Sequence, residues 1–284
     1  MKTALIIPTL NAEKDWASAL EAVDSQTMQP DRKILIDSGS TNDTVQLAEK
    51  HGFETHVIPR NTFNPGLTRQ MGVNLCPEAA LLIYMTQDAA PTDPQAFKTL
   101  QNCFADPNVA AAYGRHLPRP EAGPIERFKR LHNYPEQSAT RTQADIPTLG
   151  LKTAFCSNSY SAWRRTALDG IGGFEETPFG EDMLAAGRLI LAGRSVAYCA
   201  EATVIHSHPM KLPESFERGR KIGHLQHHHP WLKSNFACPK KAGIHYFRDG
   251  LRFLAKESPL HLPLFFFRTQ AKFLGFLFGK TGVF

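Results

Sequence analysis

The chain has 284 residues, 42% apolar and 21% charged, with a formal net charge of +5. That suits one large domain or two small ones with a buried core, and together with 10% aromatic content it excludes a disordered chain. No stretch approaches the ~20 uncharged apolar residues of a membrane span, and the five cysteines (Cys76, Cys103, Cys156, Cys199, Cys238) show no CxxC spacing, which excludes a zinc ribbon or a disulfide frame.

The first 114 residues alternate between strand and helix patterns. Ala4–Ile7 reads as a buried strand closed by Pro8, and Trp16, Leu20 and Val23 follow on one helical face. Lys33–Ile36 is a second strand, Ser38–Asp43 is turn and capping chemistry, and Val45–Lys50 is helical. A strand at Thr55–Ile58 precedes a helix from Pro65 to Pro77. Ala80–Met85 is the most apolar strand, Pro94–Phe104 a helix and Val109–Tyr113 another strand. Such alternation predicts an α/β domain whose sheet is mostly parallel with helices on its faces.

Arg115–Gly150 holds five prolines and no clear period, so a functional lid or a disordered loop is expected. Order resumes at Lys152–Trp163, with a helix from about Glu181 to Ala192 and strands at Ser195–Cys199 and Thr203–Ile205. The expected divisions are 1–114, 115–210 and a basic helical tail, 211–284. The tail carries 13 Lys/Arg against 4 Asp/Glu and 11 of the 19 phenylalanines, whereas residues 1–210 carry 19 against 23. A basic, Phe-rich tail suits an anionic membrane surface; no nucleic-acid recognition module is visible. The start, MKTALIIPTLN, lacks a secretory h-region, so a cytoplasmic protein is expected.

In an open parallel sheet, ligands bind beyond the carboxyl ends of the strands. The polar residues there are Pro8, Thr9 and Asn11 after the first strand, Asp37, Ser38 and Gly39 after the second, and Gln87 and Asp88 after the fourth. There is no GxGxxG after the first strand and no GxxxxGK[ST]. Phosphate is therefore expected on basic side chains or on a divalent cation, with Asp88 able to ligate Mg²⁺ or Mn²⁺ through oxygen. Each loop, taken alone, also reads as ordinary turn chemistry.

The segments IIPTLN, ILIDSGSTNDT, FNPGLTRQMG, YMTQDAAP, SNSYSAWRR, GGFEE, FGEDMLAAGRLILAG and VIHSHP occur here in order. Together they resemble family 2 glycosyltransferases of the GT-A fold, and TQDA, FN-x-G and HSH are most similar to a rhamnosyltransferase-type branch. The resemblance covers residues 3–210 and implies a mixed, mostly parallel GT-A sheet flanked by helices. It places Pro8, Thr9, Asn11, Asp37, Gly39, Arg69 and Gln87 around the nucleotide. Asp88 matches the last carboxylate of a DxD metal motif, and His206 or His208 a histidine that completes the metal site. Asp182, beside Glu181, matches the general base, and Asn158 and Trp163 are expected on the acceptor side. Two departures stand out: the DxD motif is Thr86-Gln87-Asp88, and Ser38 replaces a second aspartate after Asp37.

The implied enzyme transfers a sugar, with dTDP-L-rhamnose or a UDP-sugar as donor, to a lipid-linked or polysaccharide acceptor at the inner membrane face. A metal-dependent hydrolase using His206, His208 and Asp182, or a non-catalytic sugar- or lipid-binding protein, stays open on the residues alone. Glu181 and Asp182 lie ~100° apart on a helix, so one of them is expected in the cleft, as an ordinary ionised carboxylate. His224, His227, His228 and His229 read as a solvated or acceptor-side group, and Arg218, Arg220 and Lys221 as a solvated face or a contact to diphosphate or lipid.

Overall fold

The computed structural model describes residues 1–13, 15–236 and 242–282; Cys238 and Phe284, singled out from the sequence, lie outside them. In chain order the elements are β1 (Thr3–Thr9), α1 (Trp16–Asp24), β2 (Arg32–Asp37), α2 (Thr44–Lys50), β3 (Glu54–Val57), α3 (Pro65–Leu75), β4 (Leu81–Met85), β5 (Ala90–Pro91), α4 (Ala96–Asn102) and β6 (Val109–Leu117). There follow α5 (Pro124–Asn133), β7 (Ala139–Arg141), α6 (Ile146–Leu149), β8 (Tyr160–Arg164), α7 (Arg165–Gly170), α8 (Glu181–Leu191) and β9 (Ser195–Ile205). The last helices are α9 (Leu212–His228), α10 (Pro230–Asn235), α11 (Ala242–Glu257) and α12 (Leu262–Gly279).

The chain divides into two units. The first comprises Met1–His116, Glu136–Gln143 and Ala154–His206; the second comprises Leu117–Pro135, Ala144–Thr153 and Ser207–Phe284. The first unit holds the expected mixed sheet, ordered β3-β2-β1-β4-β8-β6-β9-β5, with β7 on β9. Its first four strands run parallel. From β8 onward the pairing turns antiparallel, as in β4–β8 and β6–β8.

Alternation along β1 explains the layers. Leu5 and Ile7 enter a core with Trp16, Leu20 and Val23 of α1, Leu35 of β2 and Phe97 and Leu100 of α4. Ile6 points the other way, onto α3, where a Cβ added at Gly72 would lie 2.6 Å from it. Both faces of the parallel half are therefore covered, and its strands read as unbroken apolar runs.

Three sequence expectations change. The irregular segment contains α5, whose Ile125 and Phe128 build a second core with Leu254 and Phe265. The boundary at 115 gives way to a discontinuous second unit, because α5 finds its apolar partners in the tail. The two strands placed at 195–199 and 203–205 are one, β9, and His206 and His208 lie past its end.

In the second unit α12 packs on α9 through glycines. A Cβ at Gly219 would sit 1.9 Å from the Lys272 carbonyl oxygen, and one at Gly275 2.0 Å from that of Phe216. Gly223 and Gly279 repeat the approach one turn on, a small-xxx-small pairing that lets two backbones touch. Leu264, Phe266, Phe267, Phe273, Leu274 and Leu277 stay exposed on α12. Among the described residues no helix is long and apolar enough to cross a membrane.

Candidate active site

The carboxyl end of the parallel strands is a knot of side chain–backbone bonds. Pro8 and Thr9 close β1. Asp37, 1% exposed, accepts from Thr9 Oγ1 (3.0 Å), Gly39 N (2.9 Å), Ser40 N (2.7 Å) and Ser40 Oγ (2.5 Å). Asn11, at φ 44°, accepts through Oδ1 from Thr41 N at 2.9 Å, and its own N–H donates to Ser40 Oγ at 2.7 Å. Gln87 clasps the backbone of Leu10 from both sides, accepting from its N–H at 2.8 Å and donating to its carbonyl at 3.1 Å. Asp37 and Gln87, expected against the nucleotide, thus have their polar atoms occupied by the loops that they hold in shape. The cause is simple: buried polar groups take the nearest partners.

Beyond β4 the pattern differs. Asp88 Oδ2 lies 3.3 Å from His206 Nε2. The other ring nitrogen of His206 meets His116 Nδ1 at 3.2 Å, with the rings edge to face. His116, 1% exposed at the end of β6, was not among the sequence candidates. A carboxylate oxygen and an imidazole nitrogen converge here, and the far side of the imidazole is fixed by a buried partner. That donor set, with its orienting second histidine, fits a divalent cation of the Mn²⁺ or Mg²⁺ kind. His208 lies two residues beyond His206, in the second unit, and is exposed.

The third cluster starts from the FN-x-G motif. Asn64 caps α3 by accepting from Gly66 N (3.0 Å) and Leu67 N (3.1 Å), and the same oxygen accepts from Thr177 N (3.2 Å). Gly66 lies so close to the Glu175 carbonyl that a Cβ there would fall 1.8 Å from it. Asn64 and Gly66 thereby dock the chain leading into α8 onto the start of α3. The docking carries Glu181 to Arg69: the two form a buried ion pair at 3.0 Å. Asn158 Nδ2 donates to the same Glu181 oxygen at 3.1 Å, while Asn158 Oδ1 accepts from Ser161 Oγ and Trp163 Nε1.

The network bears on four expectations. Arg69 pairs with Glu181 and donates to the Pro65 carbonyl, while its Nε is buried without a hydrogen-bond partner. Glu181 is buried in that ion pair. Asn158 and Trp163 are 1% and 0% exposed, so neither presents a surface to an acceptor. Trp163 fails because β8 is a central strand, bordered by β4 and β6.

Asp182 is set apart. Its carboxylate accepts from Asn158 N (3.2 Å) and from Met183 N (2.8 Å), and it is only partly buried. Enclosure, then the neighbouring Glu181 carboxylate, push it up to about 7, against the lowering pull of Arg69. It is therefore no ordinary carboxylate, as the sequence suggested, but one poised near neutrality. Thr86 N, at the start of the Asp88 loop, donates to Ser159 O, the residue next to Asn158. The Asp88–His206 pair and Asp182 consequently stand at one edge of the sheet, where β4 ends and β8 begins.

Residues 4–172 match the family model described as glycosyl transferase family 2. The chain belongs to that family. It is 41% identical to the O-antigen chain rhamnosyltransferase RfbN of Salmonella typhimurium, over 99% of this chain and 90% of the relative. It is 38% identical to the O-antigen chain rhamnosyltransferase WbaN of Salmonella anatum, over 97% and 88%. Among solved structures it is similar to the mannosyltransferase PcManGT of Pyrobaculum calidifontis, determined with GDP-Man and Mn²⁺ (TM-score 0.66, 14% identity, 99% of this chain and 86% of the other). It also resembles glucosyl-3-phosphoglycerate synthase of Mycobacterium tuberculosis (TM-score 0.55, 16% identity, 85% and 81%). At those identities the likeness concerns the fold, which is the GT-A arrangement. This glycosyltransferase thus acts on a nucleotide-sugar, and the hydrolase and binding-protein readings fall away.

Proposed function

We propose that this glycosyltransferase moves L-rhamnose from dTDP-L-rhamnose to a lipid-linked O-antigen-type glycan, with inversion at the sugar carbon. The rhamnosyltransferase names of two relatives spanning almost the whole chain support the sugar. The observation that carries the chemistry is the placement of Asp182 and the Asp88–His206 pair at one sheet edge.

Asp182 takes the proton of an acceptor hydroxyl. As that oxygen bonds to the anomeric carbon, the bond from the anomeric carbon to the diphosphate oxygen breaks, and its electron pair leaves with the nucleoside diphosphate. Asp88 and His206, with His208 as the further ligand offered by the sequence, would hold a divalent cation, which would supply positive charge at the departing diphosphate. Glu181 keeps Asp182 basic enough through like-charge repulsion, and Arg69 and Asn158 keep Glu181 in place. Pro8, Thr9, Asn11 and Gly39 shape the nucleotide side. The exposed apolar face of α12, on a unit with 18 Lys/Arg against 7 Asp/Glu, supports peripheral attachment to the inner face of the cell membrane.

The test is acceptor-dependent release of dTDP from dTDP-L-rhamnose with Mn²⁺ or Mg²⁺. We expect Asp182→Asn to lose ~10²–10⁴ in kcat with donor binding retained. Wild-type kcat falls as pH drops through about 7, because protonated Asp182 cannot accept a proton. Near-normal turnover by Asp182→Asn would remove it as the base; turnover with a UDP-sugar alone would reassign the donor.

A further inference from the structure

In the first unit α4 packs along β9, and that contact brings two cysteines together. Cys103 stands in the turn that follows α4, and Cys199 lies on β9. Their sulfurs share one acceptor: each Sγ is 3.9 Å from Thr99 O. The thiols also hydrogen-bond to each other. Neither is in a disulfide.

Solvent has a route to the pair. An open cavity of about 440 Å³ is lined by both cysteines, with Thr99, Ser138, Tyr198 and Glu201 among its walls. Cys103 is half-buried and Cys199 is 6% exposed. The other described cysteines differ. Cys76 and Cys156 are 0% and 3% exposed, neither lines the cavity, and burial pushes both thiols up. The thiolate is the reactive form of cysteine, so those two are inert. In the pair, the hydrogen bond from Cys103 holds the Cys199 thiol below the usual range, against its burial, and raises Cys103 in turn. Glu201 Oε2, 3.7 Å from Cys199 Sγ, opposes ionisation, but it also accepts from Ser138 Oγ at 2.6 Å. One thiol is thus eased toward the thiolate, with a second thiol beside it to resolve what it forms.

We propose that Cys103 and Cys199 are a modification site, at which a hydroperoxide joins them in a reversible disulfide between α4 and β9. Cys199 gives its proton to solvent, and its sulfur attacks one oxygen of hydrogen peroxide. The O–O bond breaks, and the departing hydroxide takes up a proton and leaves as water. Cys199 is then a sulfenic acid. The Cys103 sulfur attacks the Cys199 sulfur: an S–S bond forms, the S–O bond breaks, and the hydroxyl leaves with the Cys103 proton as a second water. Both sulfurs are oxidised and both peroxide oxygens reduced, and a dithiol reductant reverses the change. The shared Thr99 carbonyl keeps the sulfurs within reach, so bridging outruns further oxidation of the sulfenic acid. Neither thiol takes part in the transfer proposed above.

The experiment uses the full chain, reduced with dithiothreitol and then freed of it. The protein is treated with hydrogen peroxide, alkylated, and digested without reduction. Mass spectrometry should show the Cys103 peptide joined to the Cys199 peptide, lighter than their sum by two hydrogens, and dithiothreitol should separate them. Cys76 and Cys156 should be recovered as thiols, alkylated once the chain is unfolded. In Cys103→Ser the reaction should stop at a Cys199 sulfenic acid, trapped by dimedone. In Cys199→Ser, Cys103 should oxidise roughly tenfold more slowly, the change in thiolate fraction that one pKa unit brings. Hydrogen exchange in α4 and β9 should slow in the bridged protein.

Recovery of Cys103 and Cys199 from excess peroxide as thiols, or as sulfinic acids with no linked peptide, would overturn the site. So would a bridge found only between two chains. Wild type alone yields these outcomes, so a variant that fails to fold leaves the test intact.

Discussion

The two units treat buried charge in opposite ways. In the sheet unit, with 14 Lys/Arg against 20 Asp/Glu, buried charges have answering groups: Arg69 with Glu181, Asp37 with its own loop, Asp88 with His206. In the helical unit, half-buried Lys129 and Arg268 form no ion pair among the described residues, Arg268 Nε is buried without a hydrogen-bond partner, and the pair Arg127–Glu257 lies out in solvent. Pairing inside fixes a geometry, as Arg69 and Asn158 fix Glu181. Unpaired charge inside carries a standing desolvation cost. A buried ion is thus not one kind of evidence: its partner, or lack of one, separates a fixed geometry from a standing cost.

That contrast can be broken first at Arg69. Arg69→Met leaves Glu181 buried without its counter-charge and should cost about 3–5 kcal/mol, read by urea denaturation. The double change Arg69→Met with Glu181→Met should recover most of the loss. If the single variant is as stable as wild type, the pair is not what holds α3 to α8. A smaller effect is expected at the helix crossing. Gly219→Ala places a methyl 1.9 Å from a carbonyl oxygen, and forcing the helices apart should cost about 1–3 kcal/mol, with faster hydrogen exchange in α9 and α12. The smallest change belongs to Glu257→Gln. The Arg127–Glu257 pair, 3.2 Å apart with both side chains more than 40% exposed, should contribute under ~1 kcal/mol. A loss several times larger would show that the helical unit depends on its outer pairs after all.

Much of the sheet unit was legible. Apolar runs ending in Asp37 and in Gln87-Asp88 marked strand ends, and order alone brought them to one edge. Asp88, His206 and Asp182 were reached through the ordered motifs, and the fold brings them to that edge. Sequence could not say which polar residues would be used up by neighbours. Arg69 and Glu181 are 112 positions apart, and nothing local announces their ion pair; the same holds for the clasp of Gln87 on Leu10. Trp163 was misjudged because aromatic residues line both acceptor grooves and cores. The helical unit was less legible for another reason. Its first helix sits in a proline-rich stretch, and its periodicity is short until the tail supplies Leu254 and Phe265. One signal went unread: Gly219 and Gly223 repeat the four-residue spacing of Gly275 and Gly279, which marks two helices meant to touch.

The discontinuity of the second unit has a consequence in time. Phe128 leaves the ribosome well before Phe265, about 140 residues downstream. At ~5–20 residues per second, that interval lasts roughly 7–28 s. The sheet unit, complete by His206, can finish during that wait, whereas α5 must carry Ile125 and Phe128 bare until α11 and α12 are made. A nascent chain stalled after β9 would therefore display an orphan amphipathic helix, the surface that holdase chaperones capture. For this protein the vulnerable interval opens with α5 and closes only when α12 arrives.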